Sequence, residues 1–180
     1  MRRLLKKDCE GCKISNEQKQ VKGGIIHIDD YWTLNHYQSE QAFLGWLILQ
    51  PMEHRMQLKK LKNEEQALLG IHIVKIDKEI CNYWSRQFID DPIERVYVAH
   101  FHEGFFDNPM EKYHLHFHLI PRPKSFGKLL KGTNGINAWN IYKLKKLRKF
   151  PSKYKVNLNE DNPVSELSVT DLMNFLRTKL

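Results

Sequence analysis

Apolar positions along the chain follow two periods, and the elements follow from them. Gly23-Gly24 opens a short apolar run at 25–28, and Asp29-Asp30 turns the chain after it. Residues 32–34 read as a second strand. Residues 46–50, preceded by Gly45 and ended by Pro51, read as a third. Runs this closely spaced predict antiparallel pairing. The period then lengthens. Leu69, Ile73, Ile76, Ile80 and Tyr83 recur every three or four residues, which predicts an amphipathic helix over about 63–84 with these side chains buried. Asn63 is placed to cap it, with Gln66 reaching back to complete a capping box.

Alternation returns over 95–102, where Val96, Val98, His100 and His102 share one face and Tyr97, Ala99 and Phe101 the other. A loop at 103–112, with Gly104 and Asn108-Pro109, leads to a second alternating run at 113–120, stopped by Pro121 and Pro123. The two runs are expected to pair as an antiparallel hairpin, and connecting loops of this length are often functional. Residues 1–22 are polar and read as irregular apart from Cys9 and Cys12. Beyond Pro123 the pattern loosens. Residues 139–142 offer a short strand or turn, and Leu172, Phe175 and Leu176 predict a final helix over about 168–180 with Ser168 as its cap. The expected organisation is an α+β domain over 1–123, an antiparallel sheet with one long helix packed on it. A basic extension over 124–180 follows and ends in a helix.

A chain of 180 residues with 41% hydrophobic content can bury its own core, which argues against overall disorder. No apolar run approaches the roughly 18 residues of a membrane-spanning helix. The charged start, Arg2 to Asp8, lacks a secretory apolar stretch, so a cytoplasmic protein with no membrane partner is expected. The net charge of +8 favours polyanionic partners. Much of it sits at 143–149 and 153–155, which makes nucleic acid a candidate partner of the extension, against the plainer reading of a solvated basic face. Three cysteines in a reducing compartment make a disulfide framework unexpected. Cys81 falls in the helical pattern as a small core residue.

The candidate chemistry lies in the second alternating run. His114, His116 and His118 alternate with Leu115, Phe117 and Leu119. On a strand, three imidazoles would share one face at about 6.5–7 Å spacing while the apolar partners enter the core. Two chemistries suit such rings. Neutral imidazoles hold zinc or copper; alternatively, neighbouring rings act together on one bound ligand. Spacing alone leaves both open.

The run His114 to Ile120, followed by Pro121-Arg122, resembles the signature of the histidine-triad (HIT) superfamily, in which three histidines alternate with apolar residues and Pro-Arg often follows. Gly45 to His54 is similar to the family's glycine, apolar strand, proline and histidine, and Leu58 to Glu65 to its approach to the long helix. The likeness covers about Cys9 to Arg122. It implies a HIT-like fold, a homodimer, and a nucleotide hydrolase or transferase acting at the α-phosphate of a nucleotide conjugate, with adenine the expected base. The family's nucleophile is the middle histidine, His116 here. His118 would bind phosphate oxygens or the leaving atom, and His114 completes the catalytic set. Asn35 stands where the family holds the ribose hydroxyls, or it is a turn residue. His102 stands where an asparagine donates to phosphate, or it forms a surface pair with His100. The preceding loop departs from the family's Gly-Gln-Ser: of its Asn108 to Lys112, Lys112 would attract a phosphate and Glu111 repel one.

Cys9-Glu10-Gly11-Cys12-Lys13-Ile14 resembles the start of many bacterial HIT proteins, in which two thiolates join two histidines around a structural zinc. The matching histidines here are His54 and His114. Four protein ligands favour a structural over a catalytic metal. The alternative is a pair of free thiols or a redox pair. The expected activity is hydrolysis of nucleoside phosphoramidates or dinucleoside polyphosphates through a nucleotidyl-His116 intermediate. Its rivals are a nucleotidyl transferase or phosphorylase, a nucleotide- or RNA-binding protein with a vestigial site, and a triad that only binds metal.

Overall fold

The computed structural model describes residues 4–38, 43–101, 113–126 and 169–180. The expected contacts from His102 and Lys112, the loop between the alternating runs, the element at 139–142 and the Ser168 cap lie outside the described residues.

Among the described residues, five strands form one antiparallel sheet: β1 (Ile25–His27), β2 (Trp32–His36), β3 (Leu47–Pro51), β4 (Ile93–Ala99) and β5 (Phe117–Pro123), in the order β1-β2-β3-β5-β4. The α+β expectation holds. Pairing sorts the side chains. Leu34, Leu49 and Phe117 lie in one cross-strand row, and Asn35, Ile48, His118 and Ala99 in the next. Neighbouring rows point to opposite faces. The first row belongs to the main core, beneath α2 (Asn63–Gln87). The Trp32 indole N–H reaches across to the Glu65 carbonyl at 3.1 Å and ties the sheet to that helix.

Helix α2 buries Ile76, Ile80, Tyr83 and Trp84, with Leu69 and Ile73 at the margin of the core. Its start differs from expectation. Lys62 is the cap position, and its N–H donates to the Glu65 carboxylate at 2.6 Å. The Gln66 amide reaches back instead to the Leu61 carbonyl at 2.8 Å. Glu65 prevails because it is also held by the buried Arg55 guanidinium at 2.9 Å. Cys81 lies on this helix but is only half-buried.

Three further expectations change. Residues 10–15, read as irregular, form a helix, α1 (Glu10–Ser15), which buries Cys12, Ile14 and Ser15. It lies on the sheet face opposite α2, where the Gln50 amide donates to the Gly11 carbonyl and to Ser15 Oγ, both at 2.9 Å. Strand β4 starts at Ile93 and ends at Ala99, so His100 falls beyond it.

Strand β5 starts three residues after His114 and runs through both prolines that were expected to stop it. The β3 ladder ends at Leu47–Leu119, so later β5 residues have a paired neighbour only in β4. A proline that lacks an N–H is tolerated where one side of the strand carries no ladder. Gly45 makes the close approach possible. At φ 85° a Cβ there would lie 3.0 Å from Pro121 Cγ and 3.1 Å from the Trp84 ring.

The last helix, α3 (Val169–Arg177), is part of the core. Leu172, Met173 and Leu176 are fully buried, and α3 packs against β1, β2 and α2. Phe175 sits at the margin, against Tyr83.

Candidate functional site

The three histidines divide between two neighbouring sites. Leu115, Phe117 and Leu119 are buried, as the alternation requires. Residues 114–116 precede β5 and belong to no strand. Their anchor is the Leu115 N–H, which donates to the Arg55 carbonyl at 2.7 Å. Arg55 is in turn held by Glu65 and Glu53, both at 2.9 Å, and Lys62 joins Glu53 at 2.8 Å. Desolvation opposes ionisation of Glu53, but Lys62 and Arg55 outweigh it and hold that carboxyl below its usual range.

The His116 and His118 rings meet edge to face, with centroids 4.9 Å apart. His116 Nδ1 lies 2.8 Å from the His114 carbonyl. A carbonyl only accepts, so Nδ1 carries the proton and Nε2 is the basic nitrogen. His118 is the reverse. The Trp46 indole N–H donates to its Nδ1 at 2.9 Å. Tyr37 and Phe101 close round the same ring, at centroid distances of 5.3 and 5.0 Å. Beside His116, Tyr113 shares a 2.9 Å hydrogen bond with His100 Nε2. Burial pushes the Tyr113 phenol up to about 12, so it stays a neutral hydroxyl.

Asn35 is no turn residue. It sits within β2, buried, in the same cross-strand row as His118 and two strands away, a separation of about 10 Å. Its Nδ2 donates to the His36 carbonyl at 2.7 Å, and its buried Oδ1 has no partner among the described residues.

The His114 ring turns away from His116 and joins Cys9, Cys12 and His54. The four donor atoms lie within 4.8 Å of one another, and all four residues are buried. His114 Nδ1 is 3.4 Å from Cys9 Sγ and 3.5 Å from Cys12 Sγ; His54 Nδ1 is 3.3 Å from Cys12 Sγ. In tetrahedral zinc, sulfur and nitrogen ligands stand about 3.6 Å apart, so the set is near its closed geometry. The second His114 nitrogen donates to the Pro51 carbonyl at 2.9 Å, which leaves Nδ1 with its lone pair towards the group. The hydrogen bond with Cys12 holds the Cys9 thiol far below its usual range, against desolvation; the same contact, with burial, pushes Cys12 up. Without a cation the pair thus keeps one proton between its sulfurs; a cation bound among the four donor atoms would let both thiols ionise. The residues therefore fit a structural zinc, which would be held by Cys9, Cys12, His54 and His114.

Trp46 and Gly11 are among the members of these sites that were not singled out from the sequence. Trp46 had a signal: alternation places it on the same face as Ile48, the face of His118. Gly11 had none. A Cβ there would lie 2.5 Å from the His114 ring, so glycine lets α1 seat against that ligand.

No family model and no curated protein matches the sequence. Solved structures do match the fold. A hypothetical histidine triad nucleotide-binding protein from Sulfolobus tokodaii superposes with a TM-score of 0.53 at 13% identity, covering 95% of this chain and 91% of that one. A HIT-like protein from Bartonella henselae, described as involved in cell-cycle regulation, gives 0.52 at 16% identity, covering 99% and 100%. A member of the HIT family from Bacillus subtilis gives 0.50 at 14%, covering 80% and 98%. At these identities the likeness establishes the fold.

Proposed function

We propose, on the premise of a histidine-triad fold, that this chain is a nucleotide-conjugate hydrolase that works through a covalent nucleotidyl-His116 intermediate. The supporting observation is the His116 ring, whose Nδ1–H is committed to the His114 carbonyl so that Nε2 is the nucleophilic nitrogen. Nε2 attacks the α-phosphorus. A nitrogen–phosphorus bond forms, and the bond to the leaving group breaks with its electron pair going to that group. Water then attacks phosphorus, the pair returns to Nε2, and the nucleoside monophosphate departs with a proton released to solvent. His118 binds the phosphate oxygens, where a donor already in place stabilises developing charge. His114 contributes through its carbonyl, which fixes the neighbouring ring.

Asn35, His102 and Lys112 complete the reading as ribose and phosphate contacts. Residues 1–123 carry the nucleotide-binding residues, α3 completes their core, and the basic stretches at 143–149 and 153–155 are candidates for contact with nucleic acid. An adenine base, a homodimer and a cytoplasmic setting belong to the same proposal. Zinc held by the two cysteines and two histidines would be structural and take no part in the chemistry. Among the described residues, no helix is long and apolar enough to cross a membrane.

The test is incubation with an α-labelled adenylated conjugate, trapping of an acid-labile adduct and mapping of the modified residue. Label on His116, and its loss with turnover in His116→Ala, is expected. Label elsewhere would overturn the mechanism. Salt-sensitive binding with no turnover above His116→Ala would favour a binding protein. Release of a nucleoside diphosphate only when inorganic phosphate is present would make it a phosphorylase.

A further inference from the structure

Proton bookkeeping at His118 separates two kinds of leaving group. Its Nδ1 faces the Trp46 indole N–H at 2.9 Å. An indole nitrogen donates and never accepts. The ring must therefore present a lone pair at Nδ1, and its single proton is on Nε2. A second proton on Nδ1 would set two N–H groups head to head across that distance. Both residues are held where they are. Trp46 is fully buried, and His118 is 6% exposed and fixed by strand pairing on both sides, to Ile48 and to Ala99. Among the described residues, four rings surround His118: Tyr37 after β2, Trp46 before β3, Phe101 after β4 and His116 from its own segment.

We infer that Trp46 is a positioning residue that keeps His118 a neutral hydrogen-bond donor and so selects conjugates whose leaving group departs without a proton. This rests on the hydrolase reading above. A neutral imidazole that lends its Nε2–H to a phosphate oxygen loses nothing. One that gave the proton away would become an imidazolate, which is out of reach near neutral pH. A phosphoanhydride leaving group departs as a phosphate anion and carries off the electron pair unaided. An amine leaving group must be protonated as the nitrogen–phosphorus bond breaks. The site is therefore built for dinucleoside polyphosphates over nucleoside phosphoramidates. A general acid is worth about a hundredfold or more in rate, and that factor is withheld from the amide substrate.

Nitrogen NMR of the imidazoles in the intact protein reads the tautomer directly. His118 is expected to show an unprotonated Nδ1 and a protonated Nε2 from about pH 5 to 8. In Trp46→Phe it is expected to take up a second proton within that range. An Nδ1–H, or a doubly protonated His118 in the wild type near neutrality, would overturn the inference. The wild type also carries the substrate comparison, whether or not the variant folds. Its kcat/KM should favour a diadenosine polyphosphate over an adenosine phosphoramidate by about a hundredfold, and Trp46→Phe should narrow that ratio. Equal or better use of the phosphoramidate by the wild type overturns the substrate assignment even if the tautomer is as stated. Failure of both substrates above His116→Ala overturns the hydrolase reading, while the NMR result still decides the state of His118.

Discussion

The carbonyl of His114 accepts the Nδ1–H of His116 at 2.8 Å, while the His114 ring faces two cysteines on its other side. One residue thus belongs to both sites. Its side chain completes a metal-binding set, and its backbone fixes the ring next in the alternation.

Metal content follows from that set. Protein produced without added metal is expected to carry about one zinc per chain, and Cys12→Ser to lose it with at least about 3 kcal/mol of stability. Elemental analysis and denaturant unfolding check this. A wild-type content below about a quarter of an equivalent, with both thiols freely titratable, would sink it.

Gly11 is the least conspicuous member of that centre. A methyl group there meets the His114 ring at 2.5 Å, so α1 must back away from the ligands. Gly11→Ala is expected to weaken zinc retention against a chelator and to cost about 1–3 kcal/mol. Retention equal to wild type would show that α1 can shift without disturbing the set.

His36 gives a pH dependence of its own. It lies on the core face of β2, fully buried, and burial lowers it to about 4, although the Tyr37 and Phe43 backbones pull the other way. The unfolded chain takes up this proton near about 6.5, whereas the folded chain refuses it until about 4. Stability therefore falls as pH drops through that window and levels off beneath it, by up to about 3 kcal/mol. NMR titration should find His36 neutral at about pH 5. A midpoint near the ordinary histidine value would refute this.

Removal of residues 169–180 tests α3. Leu172, Met173 and Leu176 are wholly enclosed, and each such side chain contributes about 1.5–3 kcal/mol. The shortened chain is expected to lose more than about 3 kcal/mol or to fail to fold, as read by thermal unfolding. Unchanged stability would mean that the helix merely rests on the domain.

Period revealed α2, whose buried face recurs every three or four residues, while β1, β2 and β3 showed as short apolar runs bounded by glycine, aspartate and proline; β2 and β3 are buried along their whole length and carry no one-face period. Strand β5 was less legible. Alternation in the sequence does not say whether a segment is paired, so 114–116 looked like strand. Only Arg55, far away in sequence, shows why it is not. The prolines misled for a related reason: which side of a strand lacks a neighbour is a property of the assembled sheet. Helix α1 is too short to show a stripe, and its buried face is defined by Gln50, His54 and His114. Alternation made the three histidines legible as a group; their division came only from the resemblance, which gave His114 to the zinc set, because alternation gives a direction and no partner.

Cys9 and His114 are 105 positions apart along the chain and 3.4 Å apart in space. Closing so wide a circuit is entropically slow, and contacts of this separation form late in the folding search. A metal bound across them would therefore act as a latch set after the sheet has assembled. It would slow the escape from the native state and leave the rate of arrival almost unchanged.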